Sequence, residues 1–167
     1  MDATAALVRT SASAKKNYRR EQRLNISEFE HQLFERGADG MMGVDERGIL
    51  RFWNDGCVHI FGFSTQEAVG QSLDLIIPES LRAGHWNGFE QTIKNGSTRR
   101  HPRQLLSVPA IHKDQRRISV EFSIILLQGK AGAPCGMGAI VRDVTTQFEE
   151  TKALRRRLTA LEHPFKT

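Results

Sequence analysis

Apolar and polar positions change period several times along this chain, and each change marks an element. Leu24, Phe29, Leu33 and Phe34 can share one helical face, with Asn25 or Ser27 placed to cap it and Glu28 and Glu30 in its first turn. Gly37 ends that helix. Met41, Met42 and Val44 then run into Asp45-Glu46-Arg47-Gly48, a turn signal, and Ile49, Leu50, Phe52 and Trp53 follow it, which predicts a β-hairpin. Beyond Trp53 the pattern changes to short helical pieces. Asn54 or Asp55 caps the first, which buries Val58, Ile60 and Phe61. Ser64 and Glu67 have the spacing of a capping box, and Gly70 closes the second. Pro78 opens a longer helix through Leu81, His85, Phe89 and Ile93 that stops at Asn95-Gly96.

The last half of the chain reads as antiparallel sheet. Leu105, Leu106 and Val108 form one candidate strand, and Lys113-Asp114-Gln115 is the turn after it. Ile118, Val120, Phe122, Ile124 and Leu126 alternate with Ser119, Glu121 and Ser123, a period of two with one buried face. After a break at Gly129 to Pro134, a final strand covers Gly136 to Val144, and a polar helix carrying Leu154, Leu158 and Leu161 finishes the chain. The order is helix, two strands, several helices, three strands, helix, an α+β arrangement.

A length of 167 residues suits one domain with tails. Residues 1–16 read as a disordered tail, 17–36 as an N-terminal flanking helix, 37–145 as the core, and 146–167 as a C-terminal helix and tail. With 39% hydrophobic and 26% charged residues the chain can close a core. No run approaches the roughly 18 apolar residues of a membrane span, and no secretory signal opens the chain, so a cytoplasmic protein that avoids membranes is expected. Cys57 and Cys135 are too few and too far apart for a disulfide framework or a thiolate zinc site. The net charge of +5 raises nucleic acid as a partner. Its clusters are Lys15 to Arg23, Arg99 to Arg103 and Arg155 to Arg157, and no DNA-binding motif accompanies them. Solvated faces are the better account.

The stretch from Asn54 to Gly70, with Phe63-Ser64 before Glu67-Ala68-Val69-Gly70, resembles the S-box pattern of bacterial sensory PAS domains. Ile77-Pro78-Glu79, Lys113-Asp114 and Val141-Arg142-Asp143-Val144-Thr145 resemble the later landmarks of that family. The likeness spans residues 27 to 147. It implies the PAS fold, a five-stranded antiparallel sheet with short helices over one face around a small cavity. It also implies a sensor module in signal transduction, with a ligand-free dimerisation or docking module as the alternative. Asn54, Glu67, Gly70 and Asp143 have physical reasons as caps and turn residues, and are assigned to structure.

Leu81-Arg82-Ala83-Gly84-His85 resembles the segment of oxygen-sensing heme PAS domains in which a helix presents one axial His to iron. That resemblance implies heme b as cofactor, a diatomic gas as ligand and His85 as metal ligand. Phe89, Leu106, Phe122, Ile124 and Ile140 would wall the cavity, and Arg103 or Gln104 would reach over the gas. Without the family, His85 is an ordinary helix residue. The Asn-Cys-Arg-Phe-Leu-Gln string of photoreactive flavin domains is absent, as are a phosphate-binding loop, a metal-spaced cluster and a nucleophile with its base, so the chain is not expected to be an enzyme. Residues 146 to 162 are partly compatible with a coiled-coil seam, from which a homodimer is expected, signalling in trans to a kinase or regulator.

Overall fold

The computed structural model describes residues 25–98, 105–129 and 132–162, so residues 1–16, Leu24, Arg99, Arg100, His101, Arg103 and Gln104 lie outside it. The chain divides into a unit ending at Phe34 and a second one from Glu35 onward. Helix α1 (Ile26–Arg36) begins as its capping residues require. The side chain of Asn25 accepts from the Ser27 amide at 3.1 Å, and its carbonyl accepts from the Phe29 amide at 2.8 Å.

The second unit contains β1 (Gly40–Asp45), β2 (Leu50–Trp53), α2 (Asp55–Phe61), α3 (Thr65–Ala68), a 3-10 turn (Leu73–Leu75), α4 (Glu79–Asn95), β3 (Leu106–Ile111), β4 (Arg117–Gln128), β5 (Pro134–Asp143) and α5 (Thr145–Glu162). The strands form one five-stranded sheet in the order β2-β1-β5-β4-β3, and each neighbouring pair is antiparallel. The first and last strands in sequence therefore meet at its centre. Strand β3 continues past Val108 through Pro109 to Ile111, further than its apolar residues alone suggest. It can do so because it is an edge strand, where the missing proline N–H costs little.

One face of the sheet holds the core. Phe122, Ile124 and Leu126 on β4 stand opposite Val141, Ala139 and Met137 on β5, and Leu106 on β3 stands opposite Phe122. The β4 and β5 side chains pack into one core with Leu50, Trp53, Phe61 and Phe89. Ile140 does not join them. It pairs with Ser123 and Met41, one residue out of phase, and is 46% exposed on the opposite face. Its expected place in the cavity wall is therefore corrected, and the inward β5 residues are Met137, Ala139 and Val141.

Asn54 ties this unit together. It is fully buried, its Oδ1 accepts from the amides of Met41 (2.8 Å) and Cys57 (2.9 Å), and its Nδ2 donates to the Asp39 carbonyl at 3.0 Å. Three backbone groups around the entry to β1 and α2 are thereby satisfied where water cannot reach them. Ser64 and Glu67 close the capping box on α3, and Glu67 continues to the Lys113 ammonium at 2.5 Å. That ion pair, with the Ser64 bonds, brings the Glu67 carboxyl down to about 2. Gly70 has φ 89°, a conformation open to glycine without strain.

Candidate functional site

Helix α4 carries His85, the residue that the sequence resemblance implies as a metal ligand. It starts after Pro78, whose φ of −52° and ψ of 134° place it just outside the first turn, and ends at Gly96 with φ 64°. Of its 17 residues Phe89 alone is buried, and Leu81 is 42% exposed. Its main contacts with the sheet are made to β5. Such a helix is held by a narrow stripe, and His85 lies on that stripe. The His85 ring stands edge-on to Trp86, with centroids 5.0 Å apart and planes at 82°, and tilted to Phe89 at 6.1 Å. Trp86 and Phe89 are themselves in edge contact at 5.4 Å.

His85 Nδ1 is a buried side-chain nitrogen without a hydrogen-bond partner. Buried polar atoms are nearly always paired, so an unclaimed one marks either a cost borne by the fold or a group reserved for a ligand. Burial holds the His85 pKa below its ordinary 6.5, and the negative charge of Asp74 works against that shift. The imidazole is thus favoured in its neutral form, the form that can donate a lone pair to a metal.

Phe89, Leu106, Phe122 and Ile124 share the interior side of the fold with this ring cluster. Arg103, expected at the distal side, lies outside the described residues. Among the other histidines, His59 is in the last turn of α2, His31 is on exposed α1, and His112 meets Asp114 at 2.9 Å. His101 and His163 lie outside the described residues. No group of three or more potential metal-binding His, Cys, Asp or Glu residues occurs among the described residues. Cys57 is inert by comparison, because burial pushes its thiol up to about 12.

Sequence reasoning missed two residues that matter here. Trp86 donates from Nε1 to Asp74 Oδ1 at 2.8 Å, and its ring lies across the bare Cα of Gly48 in the β1–β2 turn. A Trp beside His85 was visible in the sequence, but its partners are 12 and 38 residues away and no local period connects them.

A PAS domain family model matches residues 38–146. The chain belongs to the PAS domain family. Sensor protein FixL of Bradyrhizobium diazoefficiens is 29% identical over 118 residues, 69% of this chain and 22% of that protein. Oxygen sensor protein DosP of Escherichia coli strain K12 is 22% identical over 131 residues, 77% of this chain and 16% of that protein. The chain thus spans about a fifth of the length of these curated relatives. The crystal structure of a PAS domain from Colwellia psychrerythraea superimposes with a TM-score of 0.64 at 20% identity, covering 73% of this chain and 99% of that one, which shows the shared fold. The PAS domain is a sensory and signalling module, and no helix among the described residues is long and apolar enough to cross a membrane.

Proposed function

We propose that this PAS domain senses a diatomic gas through heme b bound between α4 and the sheet, and that His85 is the axial ligand. The observation that carries the reading is the buried, unpartnered Nδ1 of His85 within an aromatic cluster on a helix that buries little else. With Nδ1 unpaired, no protein bond commits the ring to one tautomer, and its Nε2 is the nitrogen that would bind iron. The name of DosP, an oxygen sensor, supports the same direction. His85 would hold the group, while Phe89, Leu106, Phe122 and Ile124 would exclude water around it. Heme b, when bound, would supply an iron able to bind a diatomic gas. Arg103 or Gln104 would supply the polar contact on that side.

A displacement of the β4–β5 wall has a short way out. Val144 donates its amide to the Ser119 carbonyl at 2.9 Å, and Thr145 Oγ1 accepts from the Ser119 amide at 2.9 Å. The Thr145 amide donates to Asp143 Oδ1 at 2.8 Å, which starts α5 directly from the strand. On α5, Phe148, Leu154 and Leu158 are each half or more exposed, a surface suited to a homodimer seam and to a kinase or regulator acting in trans.

Titration of the protein with hemin tests the reading. Wild type is expected to develop a Soret band distinct from free hemin, His85→Ala to lose it with the sheet intact by circular dichroism, and His59→Ala to keep it. A wild-type spectrum equal to that of free hemin removes the heme reading and leaves the ligand-free docking module. Sedimentation of Leu154→Lys with Leu158→Lys tests the seam, which requires the wild type to be dimeric and the variant monomeric.

A further inference from the structure

Helix α4 has few buried contacts, yet the His85 ring has a defined setting, so something other than core burial must fix the rotation of the helix about its axis. Trp86 is the residue held on two sides. Its indole N–H donates to Asp74 Oδ1 at 2.8 Å, and its ring rests on Gly48, whose φ of 75° and missing Cβ leave the space for it. Asp74 is fixed in turn, because Ser72 Oγ accepts from the Asp74 amide at 3.2 Å and the residue lies within the 3-10 turn Leu73–Leu75. Successive residues of an α-helix are about 100° apart, so locking Trp86 locks the direction of His85. The edge contact between the two rings then limits how the imidazole can turn.

We infer that Asp74 and Trp86 form a positioning pair that aims the His85 imidazole into the interior, an inference that rests on the heme reading above. They act through His85, as outer partners of a metal ligand generally do. The Arg82 guanidinium helps to hold Asp74, with its Nε 3.7 Å from the Oδ1 that accepts the indole N–H. Its Nε donates to the Ile77 carbonyl and its Nη2 to the Asp74 carbonyl, both at 3.2 Å, and these bonds tie the start of the helix without touching the indole.

The test compares wild type, Asp74→Ala, Asp74→Asn, Trp86→Phe and the double variant Asp74→Ala with Trp86→Phe. Hemin affinity is read by Soret titration, and the His85 ring resonances are read by NMR in the protein without hemin. Asp74→Ala and Trp86→Phe are each expected to weaken hemin binding by on the order of tenfold and to alter the Soret spectrum. Asp74→Asn keeps an acceptor oxygen and is expected to retain most of the affinity. The double variant should be no weaker than the single ones, because all three lose the same bond. In the hemin-free protein the single His85 ring signal is expected to broaden or split in Asp74→Ala. Wild-type affinity and spectrum in both single variants, or additive losses in the double one, overturn the inference. If wild type itself binds no hemin, the heme reading fails separately, and an unchanged, sharp His85 ring signal in Asp74→Ala overturns the positioning role.

Discussion

Helices α2 and α4 belong to the same unit and are built in opposite ways. In its seven residues α2 buries Gly56, Cys57, Ile60 and Phe61, and the side chain that caps it spends both of its polar atoms on backbone groups. In 17 residues α4 buries Phe89 alone, has no side-chain cap, and carries a buried nitrogen with no partner. The glycines follow the same division. A Cβ on Gly56 would collide with the carbonyl groups of Asp39 and Gly37, while Gly84 and Gly88 on α4 face open space. One helix is scaffold, saturated with contacts. The other keeps capacity in reserve, as an element that must admit a ligand or move has to do.

On these two helices Gly56→Ala is the most damaging glycine-to-alanine change, because the atoms it would strike are backbone and cannot turn aside. A loss of about 3 kcal/mol or more is expected by urea denaturation, in the range of overpacking. Asn54→Ala comes next, at about 3 kcal/mol, since it leaves the amides of Met41 and Cys57 buried and unsatisfied. A loss under about 1 kcal/mol for either would break the comparison.

On α4 the sign reverses. His85→Leu removes an unpaired buried polar atom and is expected to raise stability by about 1 kcal/mol while removing hemin coordination. A destabilised His85→Leu would mean that the imidazole is a structural partner after all. Gly88→Ala should add about 0.5 to 1 kcal/mol by helix propensity, with nothing nearby to oppose the methyl group.

The smallest effect belongs to the exposed pair of Glu67 and Lys113. The folded-state value of about 2 lies below the ordinary 4.5, so the unfolded chain takes up a proton first as pH falls. The contribution of Glu67 is complete above about pH 4.5 and is lost as pH falls towards 2. Glu67→Gln should therefore be slightly less stable than wild type at pH 7, and the gap should close on acidification. A gap that stays constant between pH 7 and 2.5 would show that the ion pair is not formed.

Much of the fold was legible because its signals are local. The Asp45 to Gly48 turn, the Asn54 cap, the capping box of Ser64 and Glu67 and the alternation from Ile118 to Leu126 each depend on residues within a few positions of one another, and each is found where that spacing puts it. Strand β5 was less readable. Met137, Ala139 and Val141 alternate with Gly138 and Ile140, so both phases carry apolar or small residues and neither announces the buried face. The pairing with β1 and β4 settles it, turning Val141 inward and Ile140 outward.

The sequence by itself determined the kinds and order of the elements, their caps and the alternating face of β4, because those follow from backbone sterics and hydrogen bonds over short spans. It also placed His85 on a helix, through the Pro78 start, the spacing of Leu81, Phe89 and Ile93 and the stop at Asn95-Gly96. Only the tertiary structure decided which face of β5 meets the core, that β1 and β5 lie side by side, and that Asp74, Gly48 and Trp86 converge beside His85. These are contacts between residues far apart in the chain, and they exist because burying the apolar faces of sheet and helices together leaves few arrangements open.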